Sequence, residues 1–556
     1  MRAALAGLTA TALAVALVGG CSGTRDEISL ALESASDSSR FDLASDRSQT
    51  PRVSGTARLE VILPPTPLRG AGGLTCHEGK VLVAEPLMNR ISSVAPDGAT
   101  TRVATPHGFS RPVDLAIDDR ETLFVASDDP GGIWRRDANG SWDRMHPELG
   151  PVGGIALGPN GQLWVAECSQ RGRLLEMSTE DDALLTERAT DLGCPGRLHI
   201  EADGSIVMPF VESGEVQAFD PTTATLESLA RGLDIPTAAA ATPDGSLVVL
   251  ESGTGRIIPL TKKPGGTSRP TLVRLTPGIA DLELCGSTVV VSNSATGALD
   301  AFKPWPYGKR GLAPVGLVLA SSILVDGGDL LIADQASIKR VRRDRLELVV
   351  PTRPDGMSSA VGLAGGLPGL AWVTSPERGE LRQVDLTRGE SSRIVSGLSW
   401  PTSVLRTRSG DLIIAETGAG RVVQIGLGAI PYTLASGLLS PVGLAMRGQR
   451  VITAEPTGGR VLGIRPGEAP SVVETGLAAP AGLTAAQGRP IYIAEERRGR
   501  ILARARNGSV RTIAEGLALR TPESYYPLPV PIVVGLDGAI LVASPENGSL
   551  LRIVPN

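Results

Sequence analysis

A short apolar segment ending in a small residue returns twelve times along the chain: VLVAEP, LFVASD, LWVAEC, IVMPFV, LVVLES, VVVSNS, LLIADQ, AWVTSP, LIIAET, VITAEP, IYIAEE and ILVASP. The copies are anchored at Ala84, Ala126, Ala166, Pro209, Leu250, Ser292, Ala333, Thr374, Ala415, Ala454, Ala494 and Ala543, about 42 residues apart, and ten of the eleven gaps lie between 39 and 43. A fixed period of this length marks a repeat architecture. In each unit a segment such as PVGLAM or PVGGIAL precedes the anchor by about twelve residues, and a turn such as PDGS, PNGQ or RSGD joins the two. Those turns are hairpin chemistry. A Gly-containing loop follows the anchor, then a strand like RVVQI or RILAR, then a fourth such as VRTIAEGL.

Four short antiparallel strands per unit make one blade of a β-propeller. On these segments the chain resembles the NHL-repeat propellers and their relatives in the gluconolactonase/strictosidine-synthase superfamily, over roughly residues 58–556. The resemblance is specific for fold and weak for function, because such blades host many activities. Twelve blades in one ring would leave a wide hole, and rings usually have four to eight. The expected fold is therefore all-β, with two tandem six-bladed propellers at 58–310 and 311–556. The last unit ends after its third strand, and the sixth runs into the linker-like KPWPYGKRG. The spare segments Leu59–Leu63 and Val315–Ala320 are expected to complete the rings, each ring closed by its own N-terminal strand, which would remove an exposed sheet edge.

Seven units carry an acid directly after the anchor, Glu85, Glu167, Glu251, Asp334, Glu416, Glu455 and Glu495, with a base five or six residues later, Arg90, Arg173, Arg256, Lys339, Arg421, Arg460 and Arg500. A hairpin sets such residues side by side. Ion pairs bridging two strands are expected, rather than a ring of acids for a metal, since a feature repeated around a fold is usually structural.

Composition agrees with this architecture. The 556 residues include 67 glycines and 42 prolines, about a fifth of the chain, which disfavours long helices. A hydrophobic content of 42% argues against disorder. A net charge of −5 argues against a nucleic-acid partner. The first 20 residues pass from Met1-Arg2 through an apolar run to Val18-Gly19-Gly20-Cys21, which resembles a bacterial lipoprotein signal peptide with its lipobox. That resemblance implies cleavage before Cys21, its acylation, and anchoring of the body to a membrane. Ser22, where an Asp would imply inner-membrane retention, favours the outer membrane of a two-membrane cell. Residues 21–57 then read as a Ser- and charge-rich tether, a coil of roughly 30–35 Å.

Four further cysteines suit an oxidising compartment. Cys76 and Cys285 hold matching hairpin positions in units one and six, neighbours only if the ring closes after six, so a disulfide there would staple the seam. Cys168 and Cys194 lie in loops on one face and form a second candidate pair. The alternative is four buried thiols.

In the superfamily that the chain resembles, ligands sit where each blade's first strand meets the central tunnel, about twelve residues before the anchor. The matching residues are Gly72, Asp114, Gly154, Arg197, Ala238 and Asp281 in the first ring, and Ser321, Gly362, Ser403, Gly443, Gly482 and roughly Val533 in the second. The first tunnel thus has two carboxylates and an arginine, with His199 and Glu283 two residues further along their strands, whereas the second is nearly bare. The superfamily's lactonases hold a divalent cation with a Glu, two Asn and an Asp at such positions. Here the Glu-Gly-Pro segment is missing and no Asn stands at a tunnel position, so Asp114 and Asp281 would hold a Ca or Mg ion poorly and a polar ligand well. The four histidines, His77, His107, His146 and His199, do not form a ligand set. No GxSxG or phosphate loop is present. The longest gap carries ALRTPESYYPLPVP, in which Tyr525 and Tyr526 form a candidate contact surface or a tunnel plug.

The expectation is an extracytoplasmic, lipid-anchored double propeller that binds or scaffolds an envelope protein or a glycan. The rival is a metal-assisted lactonase-like hydrolase in the first tunnel.

Overall fold

The computed structural model describes residues 50–555, apart from 55–56, 105–109, 130, 147–148, 181–183, 261–269, 344, 352–358, 427–429 and 522–526. Cys21, the signal segment, His107, Tyr525 and Tyr526 lie outside the described residues. The chain is all-β. It forms twelve antiparallel sheets, each with four strands, one of them gaining a two-residue fifth. Blade 10 is representative: Leu444–Arg447, Arg450–Glu455, Arg460–Ile464 and Ser471–Glu474 pair in chain order, innermost to outermost.

Apolar clusters join each sheet to the next and show where the rings close. Leu82 and Ala84 of blade 1 pack with Leu115 and Val125 of blade 2, and equivalent clusters run on to blade 6. Blade 6 then returns to blade 1, with Val290 and Leu299 against Leu74 and Val83. The second ring continues from blade 7 to blade 12 and closes through Ile332 of blade 7 and Ala543 and Leu550 of blade 12. Because every sheet is covered on both faces, second strands such as Leu412–Glu416 are buried throughout. This is why they read as unbroken apolar runs and not as an alternation.

The closing strands differ from the sequence expectation. Arg58–Leu63 completes blade 12, pairing with Leu550–Val554, and Arg52–Val53 lies beside the outer strand of blade 11. Blade 6 is completed by its own Lys309–Ala313. Val315–Ala320 closes nothing and leads into the first strand of blade 7, Ala320–Asp326. An outermost strand has one wet side, so Lys309–Ala313 shows three exposed residues before two buried ones and resembles a linker in sequence. At the first seam Cys76 is disulfide-bonded to Cys285, with Cα atoms 5.6 Å apart. Cys168 is bonded to Cys194 in the third blade and the loop after it.

All seven expected acid–base pairs form. Each acid also does something that the sequence did not announce. It accepts a backbone N–H from the residue 16 or 17 positions earlier, in the crossover that brings the chain in from the preceding blade. The donors are Arg69, Gly150, Asp234, Val318, Ser399, Leu439 and Ala478. Glu416, fully buried, takes Ser399 N–H at 2.7 Å and Arg421 Nε at 2.5 Å. Neutral groups do the same work elsewhere: Asn293 donates to the carbonyls of Thr276 and Pro277, and Ser375 meets Ser359 at 2.9 Å. The adjoining glycine seals the corner. Gly420 has φ +56° and accepts from Leu438 N–H at 2.9 Å, and a Cβ there would lie 2.5 Å from the Leu438 carbonyl.

The rings meet where two of these corners touch. The Arg69 backbone is held by Glu85, and its buried guanidinium donates to the Val318 carbonyl at 2.7 Å and to the carbonyls of Pro545 and Glu546. The Val318 N–H is held in turn by Asp334, whose partner Lys339 is fully buried.

Two outcomes test this account. Glu416→Ala removes hydrogen bonds to a charged acceptor and should cost about 2–3 kcal/mol in urea denaturation. Cys76→Ser/Cys285→Ser should cost about 2–5 kcal/mol, because the bridge closes a long loop. A midpoint unchanged in either variant would contradict the role given to that contact.

Candidate functional site in the first ring

The first strands of blades 1–6 enclose a channel with a cavity of about 340 Å³, and Asp114, Arg197, His199, Asp281 and Glu283 all line it. Register accounts for the convergence. Asp114 stands in the innermost strand of blade 2, Ser110–Ile117, and Asp281 and Glu283 in that of blade 6, Ile279–Cys285, while Arg197 lies two residues before that of blade 4, His199–Ile200. The ladder is broken there by bulges, between Pro112 and Asp114 and between Ile279 and Leu282. A bulge frees backbone groups from the ladder and turns them elsewhere.

Arg197 uses those freed groups. It reaches from blade 4 to the Ala280 carbonyl of blade 6 (Nη1, 3.0 Å) and the Val113 carbonyl of blade 2 (Nη2, 2.9 Å). Its Nε lies 3.6 Å from Asp114 and 3.5 Å from Asp281. The two carboxylates are themselves committed. Asp114 accepts N–H groups from Leu115 (3.0 Å) and from Ile155 of blade 3 (2.9 Å). Asp281 accepts from Leu282 (2.8 Å) and from Leu74 of blade 1 (2.8 Å). Gly73 permits the packing, since a Cβ there would lie 2.4 Å from Asp114 Oδ1. The triad thus ties five blades together across the channel floor.

Burial pushes both Asp114 and Asp281 above the usual carboxylate range, and Arg197 works against that rise. Glu283 and His199 stand half-buried in the same cavity. Burial, with Asp281 and Asp114 nearby, pushes Glu283 up to about 8, and burial pushes His199 down. At neutral pH the channel thus offers a largely protonated carboxyl and a neutral imidazole, suited to hydrogen-bonding an uncharged polar group.

Asp114 and Asp281 share a cation between them, and it is a guanidinium. Among the described residues, three metal-type ligand atoms come within 4.8 Å of one another at His77, Glu78 and Glu121, in turns of blades 1 and 2.

The second channel holds a cavity of about 600 Å³ that the sequence reading passed over. As expected, Ser321, Gly362, Ser403, Gly443 and Gly482 leave it nearly free of charge. Ser321 and Ser403 spend their hydroxyls on carbonyls of the neighbouring blades. Pro529–Pro531, just beyond the tyrosine pair, contribute to its wall. Small residues at the tunnel positions are the signal that could have announced this space.

No protein-family model matches the chain, and no curated protein matches it in sequence. Solved structures similar to it include a virginiamycin B lyase from Staphylococcus aureus, at 13% identity over 73% of this chain and 96% of that one, TM-score 0.29. Another is a calcium-binding protein, regucalcin, from Agrobacterium tumefaciens, at 18% identity over 42% and 84%, TM-score 0.34. A third is the extracellular domain of a hybrid two component system from B. thetaiotaomicron, at 11% identity over 87% and 68%, TM-score 0.34. The fold assignment rests on the strand pairing and the closed apolar seams, not on these likenesses.

A raised folded-state pKa makes stability fall as pH rises. Glu283 binds its proton more tightly in the folded state, so its contribution is complete below about 4.5 and lost as pH climbs through about 8. Glu283→Gln should therefore flatten the decline of urea stability across that window. A decline as steep as in the parent protein would show that the carboxyl is not held this way.

Proposed function

We propose that the protein is an extracytoplasmic, lipid-anchored binding or scaffolding propeller of the NHL/gluconolactonase type, acting on an envelope protein or a glycan. The observation that carries this reading is Arg197. It occupies the position between Asp114 and Asp281 that a catalytic cation would need, and two backbone carbonyls pin it there. A guanidinium flanked by two carboxylates and donating to two backbone carbonyls is a structural tie and not a Lewis acid. What remains above it, Glu283 and His199 in a cavity of about 340 Å³, suits recognition of a neutral polar group such as a sugar hydroxyl.

Two disulfides support an oxidising, extracytoplasmic location. The lipobox-like Val18–Cys21 segment supports the anchor, with the outer membrane favoured where there is one.

The full-length protein is to be titrated calorimetrically with Ca²⁺, Mg²⁺, Mn²⁺ and Zn²⁺, and passed over immobilised cell-wall glycan and purified envelope proteins. Saturable retention on one of these, without stoichiometric metal binding at the channel, is the expected outcome. One ion per chain, lost in Asp114→Ala/Asp281→Ala and accompanied by turnover of a lactone or ester, would overturn the reading in favour of the hydrolase.

A further inference from the structure

The turns that join the first and second strands differ in charge from blade to blade. In blade 1 the turn carries Glu78 beside Lys80, and in blade 2 it is net acidic, with Asp118, Asp119 and Glu121 against Arg120. In blades 10 and 11 of the second ring these turns and the neighbouring third-to-fourth-strand turns carry arginines instead. Arg447 and Arg450 stand opposite each other across the turn of blade 10, Gly448-Gln449. Arg504 ends the third strand of blade 11, Arg500–Arg504, and Arg506 follows in its turn.

Counter-charge is short there. Arg504 pairs with Glu474 on the outer strand of blade 10 at 3.0 Å. Arg450 donates to the hydroxyl and carbonyl of Ser471, both neutral. Glu468, in the next turn of blade 10, lies 3.6 Å from Arg465. Arg506 is exposed. The Arg447 Nη2 is buried and has no hydrogen-bond partner among the described residues. Burial and the three neighbouring arginines, Arg506, Arg504 and Arg450, hold Arg447 below its ordinary pKa. A guanidinium Nη2 shielded from water without an acceptor, on a half-buried side chain set among like charges, costs stability unless something supplies the acceptor.

We infer that Arg447, Arg450, Arg504 and Arg506 form a binding site for an oxyanion, a phosphate or sulfate group, where blades 10 and 11 meet. Guanidinium forks from several directions match the several acceptor oxygens of a tetrahedral anion. The site lies in the second ring, away from the first channel, so it stands whether that channel binds ligand or catalyses.

The test is calorimetry on the full-length protein with inorganic phosphate, with poly(glycerol phosphate) and with polygalacturonate, at low and physiological salt. Saturable phosphate or poly(glycerol phosphate) binding is expected, weakened by salt and weaker by on the order of tenfold in Arg447→Gln/Arg506→Gln. Arg447→Lys should fall between, and Arg408→Gln, in a turn of blade 9, should bind as the parent does. Saturation by phosphate alone identifies a free anion, and saturation by the polymer alone identifies a phosphodiester glycopolymer. Preference for polygalacturonate, binding unchanged in the double variant, equal loss in Arg408→Gln, or no binding of either phosphate or poly(glycerol phosphate) at millimolar concentration would each overturn the assignment. Because metal and lactone play no part in the readout, its failure is distinct from failure of the channel reading.

Discussion

A propeller has to solve one recurring problem: each chain crossover from the rim of one blade to the axis of the next must be fixed at a buried corner where backbone donors lack ladder partners. In this protein a carboxylate solves it. One oxygen of an acid such as Glu416 takes the stranded N–H of the crossover, Ser399, and the other takes the arginine from the adjacent strand. The arginine offsets the cost of burying the acid's charge, and the charged pair makes a strong acceptor for the amide. Remove either partner and the corner keeps a buried group with nothing to bond. Blade stacking, ring closure and the meeting of the rings at Arg69 all begin at such corners.

The two channels show what the same scaffold does when its axis is filled differently. In the first, Arg197 reaches across the floor to the carbonyls that the bulges release, while Asp114 and Asp281 take backbone N–H groups. In the second, serine and glycine stand at the corresponding places and the space stays open. Charge bridges the first axis, while at the second, as around both rings, apolar contacts join neighbouring blades.

Much of this was legible in the residues. Twelve strands buried on both faces leave twelve apolar runs, and an acid facing a base across a hairpin leaves a spacing of five or six. The convergence of Asp114, Arg197 and Asp281 followed from nearly equal distances to their anchors, twelve residues for the first two and eleven for Asp281. What the residues hid was backbone. The amide of Ser399 or the carbonyl of Ala280 carries no side-chain signature, so neither the acids' third contact nor the acceptors that immobilise Arg197 could be read. The outer strands were hidden for another reason. With one side in water, Lys309–Ala313 is too polar to look like a strand, while Arg58–Leu63 gives no hint of which ring it joins.

That last pairing makes the two rings unequal. The second ring begins before the first and ends after it, so the first is an insert spliced into its host between Leu63 and Val318. The guest can be finished from contiguous chain. The host cannot, because Glu60 must wait for Arg552, 492 residues later, before its last sheet exists. During synthesis Arg58–Leu63 emerges before every strand that it must wait for, and is thus the last to find its place. Until then blade 12 keeps an open edge, the kind of surface that recruits foreign strands.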